Sequence, residues 1–248
     1  MSTPTMSTTS NAPLALEIKD LHTWYGESHI LHGVNLQVKK GQVVTLLGRN
    51  GAGRTTTLRA IMGLTGKKTG SIKIHGTEAI NLPSYKIAHL GLGYCPEERG
   101  VFASLSTEEN LLLPPNLKTS SAKSAMSLKE IYDMFPNLLE RKNSPGTRLS
   151  GGEQQMLAVA RILRTGADIL LLDEISEGLA PVIVQALARM ITVLKEKGFT
   201  IIMVEQNFKF AAPLADQFYV MEHGEIIESF AAAELANKVD TLHTLLGV

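Results

Sequence analysis

A glycine-rich segment in the first quarter of the chain most constrains its fold. It consists of Gly48, Arg49, Asn50, Gly51, Ala52, Gly53, Arg54, Thr55 and Thr56. The β-branched and apolar run Val43 to Leu47 predicts a buried strand before it, and residues 55–62 predict a helix after it. Glycines let the backbone wrap around phosphate oxygens, so that N–H groups and the positive helix N-terminus point at the anion. The segment therefore predicts a phosphate-binding loop; the alternative is a glycine-rich turn that only joins a strand to a helix.

The position of this loop that usually holds lysine is occupied by Arg54. Lysine offers a compact ammonium on a flexible stem, whereas a guanidinium is planar, wider and rigid. The replacement keeps the positive charge but not the shape of the phosphate contact. We expect the backbone of the loop to sustain nucleotide binding, and we expect hydrolysis to be reduced more than binding.

Length and composition restrict the classes of protein to which the chain can belong. Its 248 residues suffice for one large domain or two small ones, and 44% of them are hydrophobic. The formal net charge is +0, which argues against a basic arm for nucleic acid and against an acidic tail. We therefore expect no nucleic-acid partner. Cys95 is the only cysteine, so an intrachain disulfide is impossible, as is usual in a reducing compartment.

The N-terminal residues 1–13 are predicted to form a disordered tail. They are rich in Ser and Thr and lack the apolar run of a signal peptide. No stretch of the sequence reaches the roughly 18 consecutive apolar residues that a membrane-spanning helix needs. We expect residues 14–248 to form a single domain that is soluble and cytoplasmic.

The order of the predicted elements indicates an α/β fold. Strand patterns dominate from residue 14 to about 76, helical patterns from 106 to about 150, and the two alternate afterwards. Such alternation predicts a parallel sheet covered by helices. The helical block at about 106–150 looks inserted into this core. It opens with a capping box of Ser106 and Glu109, and it contains a polar loop, Thr119 to Ser124, that we expect to be mobile.

Two acids follow the aliphatic run Ile169 to Leu172. Such a run is typical of a strand buried on both faces, and carboxylates at its C-terminal end lie where open α/β sheets bind ligands. Mg²⁺ takes oxygen ligands and is usually held by one or two carboxylates and nucleotide phosphates. Asp173 with the Thr55 hydroxyl suits Mg²⁺, directly or through water, and Glu174 suits the base that polarises an attacking water. The alternative is a strand that ends in surface acids.

The segment Ser150, Gly151, Gly152 and Glu153 offers a second anion site. The serine supplies a hydroxyl, the glycines expose backbone N–H groups, and a predicted helix follows with its positive end. Two anion sites with one pair of acids are best explained by a head-to-tail pair of subunits, either two copies of this chain or this chain with a different ATPase subunit. The alternative is an ordinary helix cap.

Together these segments resemble the ATP-binding subunits of ABC transporters, with Leu149 to Gln155 similar to the signature sequence of that family. The resemblance covers nearly the whole chain from Leu16 onward. It implies a P-loop NTPase core with an N-terminal antiparallel, strand-rich region and an inserted helical subdomain, which bind ATP and Mg²⁺. It also implies a dimer in which the signature of one subunit closes over the nucleotide held by the other.

The same resemblance implies roles for four further places. Tyr25 is similar to the aromatic that stacks on adenine, although a half-buried strand aromatic is the alternative. Residues 93–97 align with the loop that joins the core to the helical block, where Glu97 stands in place of a glutamine and could contact Mg²⁺ through water. Ser176 to Leu179 align with a dimer-contacting loop. Gln206 aligns with a switch residue that is often histidine; it can donate to a phosphate oxygen but cannot carry a charge.

Variants within these motifs resemble one branch of the family. They are Pro96-Glu97, Ser176 to Pro181, and Val204 to Asn207. The branch supplies one of the two ATPase subunits of importers for branched-chain amino acids, and of related urea and amide importers. It implies two permease subunits, a second ATPase subunit and an extracytoplasmic solute-binding protein, with this chain peripheral on the inner face of the cell membrane.

Two departures from the family keep alternative functions open. Arg54 is one, and Ile175, which replaces a proline after the acids, is the other. The chain could be a hydrolysis-impaired nucleotide-binding partner of a competent ATPase subunit, or an ABC ATPase that acts outside transport. The sequence does not identify a transported solute.

Overall fold

The computed structural model describes residues 12–116 and 125–238, together with residues 242 and 245. The strands in these ranges are β1 (Leu14–Tyr25), β2 (Ser28–Lys39), β3 (Val43–Gly48), β4 (Lys68–Ile74), β5 (Thr77–Glu78), β6 (Leu92–Cys95), β7 (Ile169–Asp173), β8 (Thr200–Val204), β9 (Gln217–Glu222) and β10 (Glu225–Ala231). The α-helices are α1 (Arg54–Ile61), α2 (Ser84–His89), α3 (Thr107–Leu112), α4 (Leu128–Met134), α5 (Pro136–Glu140), α6 (Gly151–Leu163), α7 (Pro181–Glu196) and α8 (Phe208–Ala211). Short 3₁₀ helices cover Gly146–Arg148 and Ala232–Asn237.

The N-terminal strands form an antiparallel sheet in the order β2-β1-β4-β5. Along β2, the side chains of Val34, Leu36 and Val38 are buried, whereas those of Asn35 and Gln37 between them are exposed. Successive side chains of a strand point to opposite faces, so this alternation gives the sheet one face against the core and one toward solvent. The predicted antiparallel region is confirmed.

The second sheet has the order β10-β9-β3-β8-β7-β6. Its strands from β9 to β6 run parallel, and β10 pairs antiparallel with β9 at one edge. All residues of β3, β7 and β8 are buried. On β7, Leu170 and Leu172 pack in the apolar cluster that contains α6 and α7, while Ile169 and Leu171 pack in the cluster that contains α1 and the antiparallel sheet. Burial on both faces explains why these strands are continuously aliphatic.

Most predicted elements are found within a few residues of their expected ends, but one prediction was wrong. Residues 93–95, taken as part of a loop, belong to the edge strand β6, which pairs with β7. Only Pro96 and Glu97 of that segment follow the strand as loop residues. The strands β9 and β10 were not predicted from the sequence. Most of the predicted tail and the polar loop Thr119 to Ser124 lie outside the described residues.

The helical block joins the core through serine caps and one buried asparagine. The capping box of Ser106 and Glu109 is present as predicted. Asn110 is fully buried; its side chain accepts a hydrogen bond from Phe102 N and donates to three carbonyl oxygens, among them that of Leu105. This asparagine fixes the chain entering the helical block against α3. In the ranges that the structure describes, no helix combines the length and apolar character needed to cross a membrane.

The turn between β9 and β10 supports the glycine-rich loop. Gly224 N donates to Ala52 O at 2.9 Å, and Gly224 O accepts from His32 N at 2.9 Å. Gly224 has φ +80, and a Cβ at this position would lie 2.0 Å from Ile30 O. Both the backbone conformation and the close approach therefore require glycine.

We predict that Gly224→Ala lowers the free energy of unfolding by about 3 kcal/mol or more, because it adds a backbone clash to the cost of a left-handed conformation. Gly76→Ala is the matched control: Gly76 also has φ +80, but a Cβ there would meet no atom within 4 Å among the described residues. The control should lose about 1–2 kcal/mol. Urea denaturation measures both values, and equal losses would contradict the role given to Gly224.

Candidate functional site

A cavity of about 460 Å³ lies where the glycine-rich loop meets the C-terminal ends of β7 and β8. It is lined by Tyr25, Ile30, Asn50, Gly51, Ala52, Gly53, Arg54, Thr55, Thr56, Glu97, Glu174, Glu177 and Gln206. Most of the residues predicted to bind nucleotide are thus brought together, although they come from distant parts of the chain. Parallel pairing of β3, β8 and β7 brings them together, because it aligns the carboxyl ends of these strands at one edge.

The loop has the geometry of an anion cradle. Gly51 and Gly53 have φ +80 and +104, a region that glycine enters without strain. Gly53 leads into α1, whose first turn carries no acidic residue, so the positive end of the helix is not neutralised locally. A Cβ on Gly53 would lie 2.9 Å from a methyl of Leu31, and one on Gly48 would lie 2.5 Å from Met221 O. Packing behind the loop therefore fixes the backbone, and its open side faces the cavity.

Arg54 is buried in this loop, with 4% of its side chain exposed. Its Nη2 donates to Glu174 Oε1 at 2.9 Å and to Asn50 Oδ1 at 3.3 Å. Its Nη1 is buried and has no hydrogen-bond partner among the described residues. Burial lowers the pKa of Arg54, and the neighbouring carboxylates, Glu174 first, oppose that shift. A buried cation with a spare donor beside a cavity suits an anionic ligand such as phosphate.

Asp173 and Thr55 are in direct contact beside the cavity, which Thr55 lines, whereas Asp173 is fully buried and covered from it. Thr55 Oγ1 donates to Asp173 Oδ1 at 3.0 Å, and the Tyr94 hydroxyl donates to Asp173 Oδ2 at 2.9 Å. Burial raises the pKa of Asp173, while both hydrogen bonds act in the opposite direction. Hydroxyl and carboxylate oxygens are the donors that Mg²⁺ prefers, so this pair fits the predicted ion. Glu97, the third predicted ligand, lies on the cavity wall.

Both carboxylate oxygens of Glu174 are occupied. Arg54 binds Oε1, and Gln206 Nε2 donates to Oε2 at 2.8 Å. Glu174 has φ +49, and its N–H donates to Val204 O at 2.9 Å. The hydrogen bond to Glu174 and burial raise the pKa of Glu177 to about 7. Glu174 is therefore held in an uncommon backbone conformation by a cation, an amide and the neighbouring strand.

Tyr25 and Arg49 lie at the margins of the site. Tyr25 ends β1, is 41% exposed, and lines the cavity next to the loop. Arg49 is exposed, and its Nε donates to Leu245 O at 3.0 Å. Arg49 thus contacts the C-terminal part of the chain, while the exposed ring of Tyr25 borders the cavity.

The Ser150 segment does not line this cavity. Ser150 caps α6: its Oγ accepts from Glu153 N at 3.3 Å, and its N–H donates to Glu153 Oε2 at 2.7 Å. Gly152 lies against α7, where a Cβ would come within 2.7 Å of Ile183. Gly151 starts α6 beside the guanidinium of Arg99. The helix cap and the predicted anion site are therefore compatible, since the Ser150 hydroxyl still has a proton to donate.

Besides the contacts of Arg54 and Gln206 with Glu174, sequence reasoning missed two polar residues of the site. One is the Tyr94 hydroxyl on Asp173. The other is Glu205, which is 1% exposed and accepts from Ser176 N at 3.2 Å and from Ser176 Oγ at 2.7 Å. Glu205 had a signal in the sequence, since it directly follows the apolar run Ile201 to Val204, just as Asp173 follows Ile169 to Leu172. Tyr94 had none.

Comparison with known proteins identifies the family. The family model described as "ABC transporter" matches residues 31–177, which include the glycine-rich loop, the Ser150 segment and both acids. The chain belongs to the ABC transporter family. It is 39% identical over 232 residues to the high-affinity branched-chain amino acid transport ATP-binding protein BraG of Pseudomonas aeruginosa, covering 94% of this chain and 99% of that protein. The lipopolysaccharide export system ATP-binding protein LptB of Haemophilus influenzae is 29% identical, covering 94% and 97%.

Solved structures show the same fold. A nucleotide-free ATP-binding cassette from an ABC transporter superposes with a TM-score of 0.81 at 21% identity, covering 95% of this chain and 99% of that one. A dimeric cassette in a post-hydrolysis state, bound to ADP and Pi, gives 0.75 at 24% identity, covering 88% and 98%. The predicted fold of this ABC ATP-binding subunit is confirmed, and its family is one of nucleotide-binding ATPases.

Glu205 yields a test of the electrostatics of this ABC subunit. Burial raises its pKa to about 7 from an ordinary 4.5, while the bonds from Ser176 oppose the shift. Between these pH values the folded state holds a proton that the unfolded chain releases, so the free energy of unfolding falls as the pH rises through this window. We predict that Glu205→Gln removes this loss. The difference in free energy of unfolding between the variant and the parent should therefore increase in favour of the variant by about 2–3 kcal/mol from pH 4.5 to pH 8.

Urea denaturation of the nucleotide-free protein at the two pH values measures the difference. Glu196→Gln, which changes an exposed carboxylate on α7, is the control and should follow the parent at both pH values. A Glu205→Gln variant with the pH dependence of the parent would show that Glu205 titrates normally.

Proposed function

We propose that this ABC subunit binds and hydrolyses ATP to drive the import of branched-chain amino acids or related small polar solutes. The observation that carries the proposal is the contact of the phosphate loop with the two acids at the end of β7: Thr55 contacts Asp173, and Arg54 contacts Glu174, beside a cavity that Thr55, Arg54 and Glu174 line. Phosphoryl transfer depends on positioned phosphates, neutralised charge and an oriented water, and this arrangement offers a group for each. The class of solute rests on the likeness to BraG.

Each group has a role in this proposal. The N–H groups of residues 49–56 hold the phosphates of ATP, and Tyr25 stacks on the adenine. Thr55 and Asp173 hold Mg²⁺, with Glu97 in contact through water; when bound, the ion neutralises charge on the phosphates. Glu174 accepts the proton of the attacking water, and Gln206 donates to the γ-phosphate.

The ion pair between Arg54 and Glu174 places a condition on hydrolysis. Arg54 is the cation that should bind phosphate, and Glu174 is the carboxylate that should bind water, yet each occupies the other. A phosphate that engages Arg54 therefore competes with Glu174 for the same guanidinium. Because Arg54 has one unpaired nitrogen among the described contacts, it can bind phosphate while keeping part of its hold on Glu174. This competition supports reduced hydrolysis with retained binding.

The active form in this proposal is a dimer. The Ser150 segment does not line the cavity that contains the phosphate loop, so a single chain does not bring its two anion sites onto one nucleotide. A second chain in head-to-tail orientation supplies the missing segment to each site. The dimeric cassette with ADP and Pi supports this arrangement.

A groove beside the nucleotide site is the proposed contact for a permease subunit. The groove has a volume of about 530 Å³ and runs from β6 to the helical block. Phe102 and Leu113 line it and are 50% and 48% exposed, and Arg99 and Arg161 add positive charge. It shares Tyr94 and Pro96 with the segment that leads to Glu97. We infer that an apolar permease helix with acidic residues docks here, which holds the subunit on the inner face of the membrane; a solute-binding protein acts on the outer face.

Export is the second candidate function, because LptB is also a relative over nearly the whole chain. Deleting the gene from its source organism distinguishes import from export. Loss of labelled leucine uptake that the wild-type gene restores supports import. Normal leucine uptake together with a defect in surface lipopolysaccharide would overturn import in favour of export.

We predict that Glu174→Gln binds ATP like the parent but loses at least about 100-fold in turnover, because the amide cannot accept the proton of water. The side chain keeps its size and its contact with Gln206. The same variant should accumulate as a dimer when ATP is added. Steady-state ATPase assays and size-exclusion chromatography measure the two effects, with Glu196→Gln as the control. Turnover at the parental rate would remove Glu174 from the role of base.

We predict that Arg54→Lys raises turnover more than it tightens ATP binding. Lysine presents one compact ammonium to the phosphates and releases the planar contact with Glu174, so both groups can reach their substrates. With arginine present, we expect ATP binding to be weaker by about one to two orders of magnitude than with lysine, and turnover to be reduced further.

The measurement is ATP affinity by calorimetry and ATPase turnover of the two proteins side by side. Arg189→Lys, an exposed change on α7, controls for general effects of the substitution. Unchanged or lower turnover in Arg54→Lys would mean that the site is adapted to arginine.

A further inference from the structure

Glu205 is a buried carboxylate that the proposed reaction leaves without a role. Its side chain is 1% exposed, and its two hydrogen-bond donors are the N–H and hydroxyl of Ser176. No lysine or arginine forms an ion pair with it within the described residues. A buried carboxylate without a cation is costly, and an apolar side chain of similar volume would serve stability at least as well. Stability alone therefore does not account for Glu205.

The contacts of Glu205 close a ring around the turn that carries the base. Gln206, its neighbour in sequence, donates to Glu174 Oε2 at 2.8 Å. Ser176, its hydrogen-bond partner, follows Glu174 by two residues. The ring thus runs from the Glu174 side chain to Gln206, along the backbone to Glu205, across to Ser176 and back through Ile175. Ile175 is 1% exposed and packs in the apolar cluster that contains α6 and α7.

Hydrogen bonds add to the packing of Ile175 in holding this turn in place. Glu174 has φ +49, a conformation that an ordinary residue keeps only when its surroundings impose it. A cavity of about 310 Å³ lies beside the ring, lined by Ser176, Gly178, Leu179, Glu205 and Gln206 among others. The loop after Glu174 has room to move into this space. The contacts that oppose such movement are the core packing of Ile175, the hydrogen bonds of Ser176 with Glu205, and those of Glu174 with Arg54, Gln206 and Val204.

We propose that Glu205 is a positioning residue for ATP hydrolysis, which acts through Ser176 to hold the Glu174 turn and Gln206 in fixed relation. The proposal rests on the proposed function of Glu174 and Gln206. The base and the γ-phosphate contact must be set within a fraction of an ångström of each other, and one side chain that ties together the two strand ends carrying them meets that need.

The test compares Ser176→Ala with two other variants. Ser176→Ala removes the shorter bond and leaves the backbone unchanged, so the protein should fold. We expect its kcat to fall about tenfold, with the KM for ATP within about twofold of the parent, because a lost hydrogen bond to a carboxylate displaces the base but not the phosphate loop. Glu205→Gln can still accept from Ser176 N and can donate to Ser176 Oγ, so it should retain most of the turnover.

Ser71→Ala is the matched control. Ser71 also donates its hydroxyl to a carboxylate, that of Glu78, but in the antiparallel sheet, where neither residue lines the nucleotide cavity. It should leave kcat unchanged. If Ser176→Ala keeps the parental kcat, or loses ATP affinity with kcat unchanged, the proposal is wrong. It is also wrong if Glu205→Gln loses as much turnover as Ser176→Ala, since charge and not position would then be what Glu205 supplies.

A second measurement does not depend on turnover. In nucleotide-free protein, Ser176→Ala should speed amide hydrogen exchange in peptides covering residues 174–180 about tenfold, while peptides covering residues 48–56 exchange as in the parent. Unchanged exchange in residues 174–180 would overturn the ring, whether or not the parent hydrolyses ATP. A different result, in which the parent hydrolyses no ATP but exchange is faster in the variant, would count against the proposed function and leave the ring intact.

Discussion

Parallel pairing of three strands is the constraint on which the site depends. The ladder from β3 through β8 to β7 places Gly48, Val204 and Asp173 at the same edge of the sheet, although Gly48 and Val204 are 156 positions apart in the chain. Each strand is buried on both faces, so none can slip or tilt without exposing aliphatic side chains to water. The three loops that follow these strands therefore begin at fixed positions close to one another. Close polar contacts between residues of different loops are possible only because the loops begin side by side.

The loops then hold each other through polar contacts. Thr55 reaches Asp173, Arg54 reaches Glu174, and Gln206 reaches Glu174 from the third strand. Within this network one cation, Arg54, faces two carboxylates, those of Asp173 and Glu174, so negative charge is in excess and a divalent cation would offset it. A ligand that brings negative charge and a divalent cation together can enter such a network with little net change of charge. This is what nucleotide with Mg²⁺ would do.

The sequence predicted those parts whose residue types are tied to local geometry. The glycine-rich loop, the aliphatic strand before Asp173 and the cap at Ser106 each carry their structure in adjacent residues, and each lies where it was expected. The same reasoning failed for β6, because Gly93 and Tyr94 show no alternation of apolar and polar residues. Glycine is required at position 93 because a Cβ there would lie 1.9 Å from a methyl of Ile162, a residue distant in the sequence. The pairing of Arg54 with Glu174 joins residues 120 apart, and no local pattern could have indicated it. Roles within the site, as distinct from positions, stay predictions.

The arginine in the phosphate loop also changes the expected stability of the Glu174→Gln variant. Glu174→Gln removes a base, but here it also leaves a deeply buried guanidinium without its carboxylate. An uncompensated buried charge weakens a fold by several times the value of the pair itself. Bound ATP would supply the missing negative charge. The variant should therefore need bound nucleotide to stay folded during purification, whereas the parent should not. A purification without added ATP would then lose the Glu174→Gln variant through unfolding, although this variant is the one made to hold ATP without hydrolysing it.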